Sequence, residues 1–251
     1  MLRIGVMEGV LRQPRERLFT AAKDLGFAGI EIEVRDDAEA LRHLALSSGV
    51  PISSLICGGE GAGHSDLERR VEARDRLRNA IRAAANLGVS GILWPMFELT
   101  TLDEPDAVAR FAADVTDCMP DAEALGVVVA WENALNASDT RSIIERINSD
   151  FFRCYFDFAN AAKRGADPVA EMQALSGLIY QVHAKNTNKQ HLDAPGVDLA
   201  ACLAELQRQK YAGWIVLETP SGADPLESAR HNLQVLRSTW DAVSRGAKQT
   251  S

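Results

Sequence analysis

The decisive stretch is ALGVVVAWEN, residues 124–133, in which a helix-like end meets Gly126, then Val127–Glu132 as an apolar run closed by a carboxylate. The same join occurs twice earlier, as DLGFAGIEIE (24–33) and NLGVSGILW (86–94). Glycine just past a periodic segment marks a helix C-terminus. A short apolar run that does not alternate reads as a strand buried on both faces, as in a parallel sheet covered by helices. Working outward, such runs recur at Arg3–Met7, Gly29–Val34, Pro51–Cys57, Ser90–Met96, Val127–Glu132, Cys154–Phe158, Ile179–His183 and Trp214–Glu218. Eight strands are expected.

The intervening segments carry helix signals. Asp224-Pro225 with Glu227 predicts an N-cap, a proline in the first turn and a capping box, followed by the stripe Leu226, Ala229, Leu233, Leu236 and Trp240. Ser65 with Glu68 predicts a second capping box, and Asp167-Pro168 a third helix start. Pro120 lies within the fourth helical pattern and should kink or split it. Eight β-then-α units in 251 residues, with no linker or low-complexity stretch, predict an α/β fold consisting of a single (β/α)8 TIM barrel over residues 1–251. The first strand lacks a following GxGxxG, which removes support for a Rossmann dinucleotide site. GGEGAG at Gly58–Gly63 follows the third strand and lacks the ending of a P-loop, leaving an active-site loop or merely a loop.

Composition narrows the function. The 27 basic and 35 acidic residues give a net charge of −8, and no basic stripe interrupts it, so no nucleic-acid partner is expected. No apolar run is long enough for a membrane span, and the N-terminus does not read as a signal peptide. Cys57, Cys118, Cys154 and Cys202 are far apart, and read as reduced core thiols of a cytoplasmic protein.

In such a barrel the chemistry gathers where strands end at the C-terminal face. The last four strands end in Glu132, Asp157, His183 and Glu218, which are 25, 26 and 35 residues apart. Three carboxylates and an imidazole converging at the mouth make a site for a divalent cation such as Mn²⁺, Mg²⁺ or Co²⁺, with Zn²⁺ a further option. A base, an acid and a cation are what proton transfer beside a carbonyl requires, the cation holding the developing enediolate. Carboxylates from strands five and eight would flank the substrate. Two working on opposite faces give epimerisation; one handling both steps gives aldose–ketose isomerisation. Around them, Lys185, Asn160, His64 and Trp94 are candidate substrate contacts. Glu8, Glu31 and the thiol Cys57 also lie near strand ends, and read as barrel packing or buried polar contacts. His43, His191 and His231 read as bystanders.

FAGIEIE, VVAWEN, YFDFAN, YQVHAKN and YAGWIVLETP, with the ordered Glu, Asp, His, Glu set, resemble the xylose-isomerase-like TIM-barrel superfamily of sugar and sugar-phosphate isomerases and epimerases. The D-x-x-N of Asp157 to Asn160 and the H-x-K of His183 to Lys185 are similar to ketose 3-epimerases. The resemblance implies that Glu132, Asp157, His183 and Glu218 hold the metal, and that Glu132 and Glu218 double as the acid/base pair. It implies a sugar or sugar-phosphate substrate, a place in carbohydrate metabolism, and the homo-oligomers frequent in the superfamily. Departures concern the substrate: Asn186 stands where many relatives have Asp, Asn160 where sugar epimerases with a second histidine have His, and Asp193-Ala194-Pro195-Gly196 where many have G-x-G. Apurinic endonucleases share the barrel but need further histidines, absent here. A metal-dependent dehydratase or lyase acting on a polyol or keto sugar could use the same four residues. A non-catalytic sugar-binding barrel would have lost a ligand, and none is lost.

Overall fold

Each of the eight apolar runs forms a strand: β1 (Arg3–Met7), β2 (Gly29–Glu33), β3 (Ile52–Ile56), β4 (Gly91–Pro95), β5 (Val128–Glu132), β6 (Phe152–Asp157), β7 (Ile179–Ala184) and β8 (Trp214–Leu217). The structure is a computed structural model that describes residues 2–35, 37–97 and 106–249. Strand ends lie within two residues of the sequence expectation. All neighbours are parallel, in the order β1 to β8, and β8 pairs with β1 to close the barrel. The chain is a (β/α)8 TIM barrel.

The outer layer is α1 (Glu8–Leu11), α2 (Arg15–Leu25), α3 (Ala38–Ser48), α4 (Leu67–Leu87), α5 (Ala107–Thr116), α6 (Met119–Leu125), α7 (Ala137–Ile147), α8 (Phe158–Lys163), α9 (Pro168–Ala174), α10 (Leu199–Arg208) and α11 (Pro225–Gln249). Gly26, Gly49, Gly88 and Gly126 end α2, α3, α4 and α6 in the left-handed conformation that favours glycine. Pro120 divides its pattern as expected: α5 stops at Thr116 and Pro120 enters the first turn of α6. Asp224 accepts from the Glu227 N–H at 3.0 Å and Asp167 caps α9, also as expected. The cap of α4 is displaced by one residue. Asp66, not Ser65, accepts the Glu68 N–H, because its carboxylate is the stronger acceptor at the position nearest the first free N–H groups.

Side-chain alternation decides what reaches the mouth. Leu93, Ala130 and Tyr155 pack together inside the barrel, and the Tyr155 hydroxyl crosses to Glu31 on β2. Two residues further along their strands, Ala130 leads to Glu132 and Tyr155 to Asp157, and Gln181 likewise leads to His183. Those side chains therefore rise into the mouth. Trp94 follows Leu93 by one residue and takes the other face, between the barrel and its helices. There it stacks on Phe111 at 5.6 Å and meets Phe152 edge-on at 6.3 Å.

The Gly58–Gly63 segment is a packed loop. Gly61 and Gly63 have φ of +87° and +77°, and a Cβ on Gly63 would lie 2.9 Å from Phe111 and 3.0 Å from the Ala107 carbonyl. Small residues are required there by close approach.

Candidate metal centre

Glu132 ends β5, Asp157 ends β6, His183 lies in β7 and Glu218 follows β8 directly, its N–H still donating to Ala184 of β7. Each offers one donor atom, and the four atoms lie within 4.8 Å of one another. His183 Nδ1 is 3.1 Å from Glu218, 3.8 Å from Glu132 and 3.9 Å from Asp157 Oδ2. Both Nδ1 and Asp157 Oδ2 are buried, and neither makes an aligned hydrogen bond. Two orphaned buried acceptor atoms facing each other are costly unless something binds between them. With three carboxylates converging on one imidazole, a divalent cation fits that point in charge and in donor type.

The surroundings orient each donor. Asp157 is the N-cap of α8, and its Oδ1 accepts the Asn160 N–H at 2.9 Å, which leaves Oδ2 for the cluster. The D-x-x-N spacing is thus a helix-cap spacing. The Asn160 side chain donates to Glu132 Oε1 at 3.0 Å. Lys185 pairs with Glu218 Oε1 and lies 3.7 Å from Asp157 Oδ2. Glu31, fully buried on β2, accepts from His183 Nε2 at 2.8 Å, from the Tyr155 hydroxyl at 2.8 Å and from Ser54. This carboxylate puts the proton on Nε2 and turns Nδ1 toward the other three groups.

Electrostatics follow from this crowding. Burial, reinforced by Glu132, raises the Asp157 carboxyl to about 6. Burial also opposes ionisation of Glu218, but His183 and Lys185 outweigh it and lower Glu218 to about 2. Burial works against the His183 imidazolium, yet Glu31 and Glu218 hold its pKa well above the usual value. The pocket is built to hold positive charge.

Of the other expected contacts, Lys185 and Asn160 are brought to the cluster; His64 and Trp94 are not. His64 stays within its loop, where Nδ1 accepts from the Asp66 N–H and Nε2 lies 2.9 Å from Arg69. Trp94 faces away from the mouth because Leu93 occupies the inward parity. Glu31 was legible only as a buried polar contact; its position between Ile30 and Ile32, with Ile neighbours facing outward, is the signal for an inward carboxylate needing partners. The four cysteines are unpaired and buried, and burial pushes Cys57 and Cys118 up to about 11.

Asn186, the departure beside the site, has a structural reason. It is buried, its amide donates to the carbonyls of His191 and Ala194, and its oxygen accepts from Thr187 and Val197. Asp cannot donate those two bonds, and would bring a further negative charge toward Glu218. Asn186→Asp should therefore destabilise the protein by about 2 kcal/mol, roughly two buried hydrogen bonds at about 1 kcal/mol each. Chemical denaturation checks this; an unchanged midpoint contradicts it.

Over residues 19–239 the chain matches the xylose isomerase-like TIM barrel family, and it belongs to that family. It is 33% identical over 85 residues to 2-epi-5-epi-valiolone 7-phosphate 2-epimerase of Actinoplanes sp., a match covering 34% of this chain and 32% of that protein. To L-ribulose-5-phosphate 3-epimerase UlaE of Salmonella heidelberg it is 26% identical over 232 residues, covering 79% of this chain and 80% of the relative. The solved structure of L-ribulose 3-epimerase superposes with a TM-score of 0.90 at 21% identity, covering 100% of this chain and 98% of that one. Among the described residues, no helix is long and apolar enough to cross a membrane.

Removal of two donors tests the metal centre. Wild-type protein should take up one Mn²⁺ per chain. His183→Ala with Asp157→Ala should weaken it by more than the ~10–100-fold that loss of an outer partner costs. Calorimetric titration with Mn²⁺ measures both, and equal affinity in the double variant rejects the assignment.

Proposed function

We propose that this chain is a divalent-metal-dependent epimerase of a ketose or related sugar, working by proton transfer at a carbon next to a carbonyl. One observation carries the reading: Glu132 and Glu218 stand at the two ends of an arc whose middle is Asp157 and the orphaned His183 Nδ1. In barrel order, β6 and β7 separate β5 from β8, so the two glutamates reach a shared centre from different sides. A bound divalent cation would supply a positive charge that lowers the acidity barrier of the substrate's carbon.

The residues divide the remaining work. Glu132 is nearly buried, with one oxygen fixed by Asn160, so its other oxygen can take or return a proton in a fixed direction. Glu218 is the more open of the two, its side chain 26% exposed, and it is neutralised on one oxygen by Lys185. It forms part of the wall of a cavity of about 700 Å³ that also takes in Met7, Val10 and Ser221, within the range of small-molecule sites. Carboxylates meeting the substrate on opposite faces invert a centre. The three relatives described above are all epimerases by name, which supports inversion over aldose–ketose interchange.

The test is a screen of ketoses, ketose phosphates and inososes with Mn²⁺-loaded protein in deuterated water, followed by NMR. Deuterium at the carbon beside the carbonyl, with appearance of the epimer, supports the reading. Loss of water from the substrate without epimer formation would transfer the site to the dehydratase class.

A further inference from the structure

We propose that the β6–β7–β8–β1 side of the barrel mouth is a phosphate site, in which Arg12, Lys163 and Lys189 hold the phosphate of a phosphorylated sugar whose carbonyl end lies at the four-donor cluster. This rests on the epimerase reading for the carbonyl end only. The cavity of about 700 Å³ is continuous from Glu218 and Lys185 to these three cations. Four of its lining residues are basic and one, Glu218, is acidic, in a chain whose net charge is −8. Lys185 already neutralises Glu218. Among the described residues, the side chains of Arg12, Lys163 and Lys189 have no hydrogen-bonding or ion-pair partner; Arg17, Lys23, Arg146 and Lys210 are also without one, but none of those lines the cavity.

The three cations come from different parts of the chain and line one cavity because the barrel closes. Arg12 follows α1 after β1, Lys163 ends α8 after β6, and Lys189 lies in the loop after β7. Their strands, with β8, are consecutive around the barrel. Of the three, Lys189 lies in the loop after strand seven, one of the two loops that recurrently bind phosphate in barrels of this architecture. The backbone is also committed. Arg12, Asn188 and Lys189 all have positive φ, between +47° and +55°, and they account for three of the five described non-glycine residues that do. Arg12 takes it as the left-handed C-cap of α1, and in the β7 loop such conformations persist where the surroundings impose them.

Charge selects the ligand. A phosphate monoester carries nearly two negative charges at pH 7 and three strong acceptor oxygens, enough to engage three separate cations. A hydroxyl offers no charge, and a carboxylate offers one charge on two oxygens. With the reacting end held at Glu132 and Glu218, the phosphate would mark the far end of an extended sugar and set its direction in the mouth.

The experiment is calorimetric titration of wild-type protein and of Arg12→Gln/Lys163→Gln/Lys189→Gln with ribitol 5-phosphate, ribitol, ribonate and inorganic phosphate. Wild type should bind the phosphate ester about 100-fold more tightly than ribitol, the yield of two or three charge-assisted contacts at partly exposed positions. The preference should weaken as salt is raised and fall toward unity in the triple variant, while Mn²⁺ affinity stays the same. Ribonate or inorganic phosphate binding as tightly as the ester overturns the proposal, as does a triple variant that keeps the full preference. The two readings fail separately. An ester preference that vanishes in the variant, without deuterium entering any ketose, retains the phosphate site and rejects the epimerase. Deuterium entering free ketoses as readily as their phosphates, and unaffected by the variant, does the reverse.

Discussion

Glu132→Gln and Glu218→Gln should each lower epimerisation by about 10² to 10⁴, the value of one positioned acid or base. Gln keeps an oxygen donor at each position, so the loss reports proton transfer more than a collapsed site. In the first variant the Asn160 amide can still donate to the side-chain carbonyl oxygen that replaces the carboxylate, preserving the contact seen at 3.0 Å. In the second, Lys185 loses its ion pair with Glu218 and keeps Asp157 Oδ2 at 3.7 Å. Some loss of Mn²⁺ affinity is therefore expected for Glu218→Gln, and saturating Mn²⁺ separates it from the chemical step. The informative measurement is solvent exchange. If the two carboxylates serve opposite faces, each variant still washes deuterium into one epimer through the carboxylate it retains, and the two variants favour opposite epimers. A single-base isomerase behaves otherwise: one variant is silent toward every substrate and the other suffers chiefly in metal affinity. Wild-type turnover in both variants would remove the mechanism.

Most of the barrel and all four clustered donors were legible because they obey short-range rules. Apolar runs of four to seven residues gave eight strands, the glycines after helices gave their ends, and a charged residue closing each of the last four runs gave the cluster. What was not legible depends on parity or on closure. Trp94 sits beside the strand-end position, yet one residue of offset from Leu93 turns it into the aromatic layer with Phe111 and Phe152. His64 lies in the right loop, but its ring is taken up by Asp66 and Arg69. The sequence makes Asn160 a candidate substrate contact. Its backbone serves Asp157 and its amide serves Glu132, a division only the α8 geometry reveals. Arg12 and Lys189 lie in the loops after β1 and β7, and only the pairing of β8 with both strands brings them to one cavity.

Glu31 is the residue whose loss should reach furthest beyond its own contacts. Its carboxylate accepts three hydrogen bonds in the barrel interior, from His183, Tyr155 and Ser54, and Ser54 in turn accepts from Gln181 at 2.7 Å. The network is fully enclosed, so water cannot replace a missing member without entering the barrel. Glu31→Ala leaves three donors without an acceptor, and should cost about 3–5 kcal/mol of stability, since each unsatisfied buried group costs about 1–3 kcal/mol and the cavity allows partial relaxation. Glu31→Gln is the sharper probe. The amide can keep its oxygen on the His183 Nε2–H and turn its NH₂ toward Tyr155 and Ser54, whose hydroxyls can rotate to accept. The fold then survives, but the negative charge that holds His183 in one orientation and makes Nδ1 a stronger donor is gone. Mn²⁺ affinity should fall about 10–100-fold, as for other outer partners of metal-binding histidines. Tyr155→Phe removes one donor and leaves the carboxylate in place, so its Mn²⁺ affinity should stay close to wild type. A Glu31→Gln variant that melts normally and binds Mn²⁺ as tightly as wild type would show that His183 is oriented by packing against the Tyr155 ring, 4.4 Å away, and that Glu31 does no more than fill the barrel.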